Sequence, residues 1–137
     1  IARRQRQMCI RDRSFIQQLQ QEIDIPILCG DDDILLPCFT LGAKGSISVM
    51  ANLFPSIWNK IVHALILKEE DKILEEYERL LPLMRTVFLE PNPIGIKYAM
   101  NQLGFCTEKV RLPLTVASCD LQQKIIRELT ALAFIST

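Results

Sequence analysis

Two short segments contain the residues most suited to chemistry. The first is Gly30-Asp31-Asp32-Asp33, and the second runs from Gly42 to Asn52 as Gly-Ala-Lys-Gly-Ser-Ile-Ser-Val-Met-Ala-Asn. Glycine lacks a Cβ atom and lets a ligand approach the backbone, although an ordinary strand-to-helix turn would use Gly30 equally well. An aspartate run can hold a metal ion or act as a base, but no further ligand stands at a suitable spacing. We therefore interpret the aspartates as caps of a helix N-terminus.

The apolar residues around these segments predict two strands that flank one helix. Residues 23–29 predict a buried strand that stops at Gly30, and residues 44–52 predict a second strand that stops at Asn52. Helical spacing over residues 31–41 predicts a helix between them, which Gly42 closes. This order is typical of adjacent βα units in a parallel barrel, where function lies at the ends of the strands.

The rest of the chain is predicted to be helical. We expect a helix over residues 14–22, a helix that begins at Pro55, and a longer one from about residue 73 to 88 that is kinked at Pro82. Asn92 should cap the next helix, with proline at its first position, and Ser118 should cap the last. A change to charged residues near 68–71 marks the boundary between a βα part, residues 14–67, and a helical part, residues 68–137.

Length and charge limit the possible classes of protein. The chain has 137 residues, whereas a complete eight-stranded barrel needs about 250, so only part of a barrel is expected. No apolar run reaches the roughly 18 residues of a membrane span. A cytoplasmic protein that binds neither membrane nor nucleic acid is the expectation.

The first 13 residues differ from the rest, with five arginines, one aspartate and no aromatic residue for base stacking. Their run Arg-Gln-Met-Cys-Ile-Arg-Asp-Arg resembles the translated adapter sequence found at the ends of environmental gene fragments. We interpret residues 1–13 as a non-native or disordered leader and leave them out of the fold.

The remaining candidates for chemistry favour structural roles. Five cysteines form no C-x-x-C pair and His63 is the single histidine, so neither a metal site nor a cofactor is expected. His63 falls on the polar side of its helix, and Tyr77 and Tyr98 are expected to pack. Lys44 begins its strand, at the end of a barrel opposite to the catalytic one, and the other lysines lie on helices or connections. No lysine is a credible nucleophile.

Several motifs together resemble the dihydrodipicolinate synthase family of pyruvate-dependent class I aldolases. The resemblance covers residues 14 to 137, with the motifs in order and at family-like spacing. The matching strings are Gly30-Asp31-Asp32, Gly42-Ala43-Lys44-Gly45, Ile47-Ser48-Val49 followed by Ala51-Asn52, Phe88-Leu89-Glu90, Asn92-Pro93, Lys97, and Arg111-Leu112-Pro113-Leu114.

The resemblance implies an α/β fold in which this chain is the C-terminal fragment of a (β/α)8 barrel. It would contain the last two strands with their helices and an all-helical appendage. In the family a lysine on strand six forms a Schiff base with pyruvate, and the enamine attacks L-aspartate 4-semialdehyde in lysine and diaminopimelate biosynthesis. That lysine and the proton-relay tyrosines would precede this chain. No catalytic residue is therefore transferred to it, and the isolated chain is expected to be inactive.

Two positions match family residues whose backbone groups line the pyruvate pocket, namely Gly30 and Ile47. Ser48 stands beside Ile47 on the same strand, so the implied substrate-binding residues are Gly30, Ile47 and Ser48. The family is commonly a homotetramer, which implies a homo-oligomeric parent, and it needs no cofactor.

Two alternatives remain at this point. One is another pyruvate aldolase, such as an N-acetylneuraminate lyase or a keto-deoxy-sugar acid aldolase. The other is a non-catalytic helical interaction module in which the two strands are incidental, and such a module should fold cooperatively as a monomer.

Overall fold

The computed structural model describes residue 22 and residues 24–135. The leader predicted at 1–13 and all but the last residue of the helix predicted at 14–22 lie outside the described residues. So does residue 23, at which the first strand was predicted to begin.

Two short parallel strands form the sheet. Strand β1 is Leu28–Cys29 and strand β2 is Gly45–Ser46, with Leu28 opposite Gly45 and Cys29 opposite Ser46. The ladder is extended by one hydrogen bond at each end, from the Lys44 amide to the Ile27 carbonyl, 2.9 Å, and from the Ile47 amide to the Cys29 carbonyl, 2.8 Å. The strands are parallel, as the predicted βα order requires.

Both strands are shorter than predicted. Pro26 has no amide hydrogen for a ladder, and Ile25 beside it is 65% exposed rather than buried. After β2 the chain turns into helix α2, Met50–Leu53, instead of continuing as a strand to Asn52. The alternation of apolar and polar residues at 47–50 is typical of a strand, but Ile47 is 70% exposed and Met50 already belongs to α2.

The predicted helix between the strands is present. It begins with a 3₁₀ turn, Asp32–Ile34, and continues as α1, Leu35–Thr40, which buries Leu35 and Cys38. Gly42 closes it with a positive φ of 100° and an amide that donates to the Phe39 carbonyl at 2.8 Å.

Helix α3, Pro55–Ile66, begins at the predicted proline. It buries Trp58, whose ring nitrogen donates to the Ser46 hydroxyl at 3.1 Å and so joins α3 to β2. His63 is on the exposed side of α3, as predicted.

We call the next three helices the helical appendage. After a 3₁₀ turn at Glu70–Lys72 come α4, Leu74–Thr86, α5, Ile94–Gln102, and α6, Cys119–Ala131. Helix α6 packs against both α4 and α5. The side chains that are almost completely buried in the core are Leu35, Met50, Leu53, Ile61, Leu83, Met84, Val87, Leu121, Ile125 and Leu129.

The ends of the appendage helices follow the sequence signals closely. The Ser118 hydroxyl accepts a hydrogen bond from the Leu121 amide at 3.3 Å, which confirms the predicted cap of α6. Gly104 follows α5 with a positive φ of 76°. The start of α5 was predicted one residue too early, because Pro93 is the cap and Ile94 the first helical residue. Helix α4 is assigned without a break across Pro82, and the predicted kink stays a prediction.

Among the helices of the described part of the chain, none is both long and apolar enough to cross a membrane. The division at residue 68 into two parts stays a prediction.

Gly95 gives a test of the packing between α5 and the end of α4. A Cβ atom at this position would lie 2.3 Å from the Val87 carbonyl oxygen, which is main chain and cannot rotate away. Gly95→Ala should therefore lower the free energy of unfolding by about 1–3 kcal/mol, although alanine is the better helix former. Urea denaturation measures this change.

Gly30→Ala is the matched control, because a Cβ atom at Gly30 would meet nothing within 4 Å. It should leave the unfolding free energy nearly unchanged. Equal stabilities of the two variants would contradict the described packing of α5.

Candidate substrate-binding rim

The carboxyl ends of the two strands bring the predicted binding residues together. We call residues 30–32 after β1 and residues 47–50 after β2 the rim. Because Cys29 pairs with Ser46 in parallel register, Gly30 and Ile47 follow at the same edge of the sheet. The structure thus places the predicted residues side by side, and their contact with a ligand stays a prediction.

Each predicted binding residue offers a different group to the rim. Gly30 is exposed, and a side chain there would point into open space. The Ile47 amide is already bonded to the Cys29 carbonyl at 2.8 Å, so its carbonyl is the backbone group left for a ligand. The Ser48 hydroxyl accepts a hydrogen bond from the Ala51 amide at 2.9 Å and thereby caps α2.

Asp32 has a role that the sequence did not reveal. Its Oδ2 atom accepts hydrogen bonds from the Val49 amide at 3.0 Å and the Met50 amide at 2.8 Å. The prediction that Asp32 caps its own helix is therefore wrong, because its carboxylate caps α2 instead. Its partners lie 17 and 18 residues later in the chain, and no local pattern signals such a distant contact.

The Asp32 carboxylate is buried with only one of its two oxygens hydrogen-bonded among the described residues. The residue is 3% exposed, and its second oxygen, Oδ1, has no hydrogen-bond partner among the described residues. Burial raises the pKa of this carboxyl, and the nearby charge of Asp31 raises it further, while hydrogen bonds from the Ser48 side chain and the two amides oppose the shift.

The other two aspartates face a different surface. The Asp31 side chain makes no capping hydrogen bond to the 3₁₀ turn that follows it, so the capping prediction is wrong there too. Asp31 and Asp33 line a groove of about 480 Å³ together with Met84, Arg85 and Phe88. They therefore lie toward α4 and not among the capped amides of α2.

Tyr77 connects the helical appendage to the rim. It packs as predicted and is 3% exposed. In addition its hydroxyl donates to the Asp32 carbonyl oxygen at 2.9 Å, across 45 residues of sequence. Burial raises the pKa of Tyr77, so the phenol stays protonated and keeps its donor hydrogen.

The Cys29 thiol, at the end of β1, is not suited to nucleophilic chemistry. The Cys29 thiol, which donates to the Asp31 carbonyl at 3.1 Å, is buried, and that burial raises its pKa to about 12. A thiol with such a pKa is a poor nucleophile at neutral pH. Within residues 22 and 24–135, no group of three potential metal ligands comes together, and no lysine belongs to the rim.

Replacing Asp32 with asparagine should change how stability depends on pH. The folded-state pKa lies above the unfolded value, so the folded state binds the proton more tightly. The contribution of this carboxyl to stability is then fully present below the ordinary pKa of about 3.9 and is lost as pH rises from there through the raised folded-state pKa. The free energy of unfolding of the wild type minus that of Asp32→Asn should be larger at about pH 4 than at about pH 7.

Urea unfolding at both pH values measures this difference. Asp120→Asn is the control, because the Asp120 side chain is 75% exposed and lies outside the rim. A difference in unfolding free energy, wild type minus Asp32→Asn, that grows with pH would contradict the raised pKa of Asp32 in the folded state.

Known protein families and structures resemble this chain over most of its length. Residues 7–132 match the model of the dihydrodipicolinate synthetase family. The chain is 38% identical over 110 residues to 4-hydroxy-tetrahydrodipicolinate synthase of Rickettsia canadensis, covering 80% of this chain and 37% of the relative. It is 42% identical over 101 residues to the synthase of Methanococcus maripaludis, covering 74% and 35%.

Solved structures agree with these relatives. A dihydrodipicolinate synthase crystal structure superposes with a TM-score of 0.88 at 33% identity, over 92% of this chain and 44% of that one. The synthase of Aquifex aeolicus superposes with a TM-score of 0.83 at 32% identity, over 90% and 43%. The chain thus spans about two fifths of each solved synthase, and it belongs to the dihydrodipicolinate synthase family of (β/α)8-barrel lyases.

Proposed function

We propose that this chain forms part of a 4-hydroxy-tetrahydrodipicolinate synthase, which condenses pyruvate with L-aspartate 4-semialdehyde. The family match and the names of the relatives support this proposal. The chain spans about 37% of the Rickettsia canadensis relative, so the activity belongs to an assembly larger than these residues. Lysine and diaminopimelate biosynthesis is the pathway that such an activity serves.

The rim supplies one wall of the pyruvate pocket in this proposal. Main-chain atoms of Gly30 and the Ile47 carbonyl would line the pocket, with Ser48 beside them. The observation that carries the proposal is the position of Gly30 next to Ile47, at the carboxyl ends of the paired strands β1 and β2. Catalytic groups of (β/α)8 barrels lie at this end of the strands.

The reacting groups come from outside this chain. A lysine of the preceding barrel strands would condense with the C2 carbonyl of pyruvate and release water. The resulting enamine would then form the new carbon–carbon bond by attack on the aldehyde. Among the described residues no lysine lies on the rim, so the chain binds and orients substrate and supplies no nucleophile.

We also propose that the intact protein is a cytoplasmic homo-oligomer. Large apolar side chains exposed at the appendage support association, among them Phe105 at 60% and Leu112 at 90% exposure.

Borohydride trapping tests whether the lysine that reacts with pyruvate lies outside this chain. The isolated chain incubated with pyruvate and borohydride should show no added mass, because the rim has no lysine. A chimera that joins the chain to the preceding part of the Rickettsia canadensis synthase should trap pyruvate on a lysine of that preceding part. A pyruvate adduct on any lysine of the isolated chain, or a folded chimera that traps no pyruvate, would contradict the proposal.

Gly30→Ala in the same chimera tests the pocket wall. The new methyl group meets no atom of this chain within 4 Å, and we expect it to occupy space used by pyruvate. We expect the KM for pyruvate to rise about tenfold. Gly104→Ala is a contrasting variant, since Gly104 is remote in the appendage and has a positive φ of 76°. It should lower stability and leave this KM unchanged. An unchanged KM in Gly30→Ala would contradict the proposed wall.

A further inference from the structure

The two segments of the rim are joined by the Asp32 carboxylate, whose burial carries a desolvation penalty. Asp32 follows β1, and its Oδ2 atom accepts from the Val49 and Met50 amides, directly after Ser48. Residues 30–32 and 47–50 are thus held to each other by two charge-assisted hydrogen bonds. The bonds fix the start of α2 and with it the turn that contains Ile47.

Stability alone does not account for this carboxylate. Asparagine or serine would also cap a helix, whereas a carboxylate that is 3% exposed with Oδ1 unpartnered within the described part of the chain retains a desolvation penalty. The carboxylate therefore fixes a defined geometry at the rim while it lowers the free energy of unfolding. Such a choice is expected where a ligand must be held.

The main chain of Asp32 is fixed by a second contact, which comes from the helical appendage. The Tyr77 hydroxyl on α4 donates to the Asp32 carbonyl oxygen at 2.9 Å, and both residues are buried. The side chain of Asp32 thus holds the second rim segment while its backbone is held by the appendage. Movement of α4 would be transmitted to the rim through this hydrogen bond and through the packing of α4 against the 3₁₀ turn that begins at Asp32.

We propose that Asp32 and Tyr77 are positioning residues of the pyruvate pocket, which hold the Ile47–Ser48 wall at a fixed distance from Gly30. This proposal rests on the proposed function. Neither side chain contacts substrate in this proposal. The Asp32 carboxylate is bonded to the Val49 and Met50 amides, and the Tyr77 hydroxyl is bonded to the Asp32 carbonyl, so both act by holding the wall in place. The all-helical appendage thereby takes part in substrate binding.

Kinetics of the chimera separate positioning from simple stabilisation. A displaced wall weakens pyruvate binding, so Asp32→Ala should raise the KM for pyruvate about tenfold and Tyr77→Phe about threefold, with kcat per trapped active site nearly unchanged. Asp32→Asn keeps one oxygen acceptor and should restore most of the affinity. A purely structural role would reduce the number of active molecules and leave KM at the parent value, and that result would overturn the proposal.

Tyr98→Phe is the matched control. Tyr98 is the other tyrosine, it is buried on α5, and it makes no hydrogen bond to the rim among the described residues. Its KM should equal that of the parent chimera. An equal rise in KM for Tyr98→Phe and Tyr77→Phe would overturn the proposal, because any loss of packing in the appendage would then be enough to raise the KM for pyruvate.

Amide hydrogen exchange in the full chain tests the clamp without any activity. Asp32→Ala and Tyr77→Phe should each speed exchange at the Val49 and Met50 amides several-fold relative to wild type and Tyr98→Phe. If the parent chimera traps no pyruvate, the proposed function fails while these exchange rates can still be measured. Unchanged protection of both amides in Tyr77→Phe would overturn the link between appendage and rim.

Discussion

The buried carboxylate of Asp32 is the contact on which the rim depends. Two short parallel strands cannot by themselves hold the segments that follow them, because their ladder ends at the bond between Ile47 and Cys29. The carboxylate continues the connection by accepting from the Val49 and Met50 amides, where a further strand pairing would otherwise be needed. It converts an apolar sequence that could extend as a strand into the start of α2.

Asp32 also links the rim to the helical appendage. The Tyr77 hydroxyl on α4 donates to the Asp32 carbonyl, Asp31 and Asp33 line a groove with residues of α4, and α6 packs against α4. The appendage and the rim are thus both hydrogen-bonded to one buried residue. The helical appendage then has a physical connection to the rim.

Signals that act within a few residues were readable from the sequence, and contacts across the chain were not. Pro55 begins α3, Gly42 and Gly104 follow helix ends with positive φ, and Ser118 caps α6, because each depends on local backbone geometry. The length of β2 and the partner of Asp32 depend on contacts 17 or more residues apart, so propensity at 47–52 gave the wrong element. Resemblance to a family predicted Gly30, Ile47 and Ser48 as binding residues, which stays a prediction, and it revealed neither the role of Asp32 nor the hydrogen bond of Tyr77.

In the proposed function, the rim of this chain is a wall of the pyruvate site. A crystal structure of the chimera after pyruvate has been trapped with borohydride would show the contact. We expect main-chain atoms of Gly30 and the Ile47 carbonyl to lie within about 4 Å of the trapped three-carbon group, in van der Waals or hydrogen-bond contact. A trapped group that contacts neither residue, with the Asp32 hydrogen bonds intact, would contradict it.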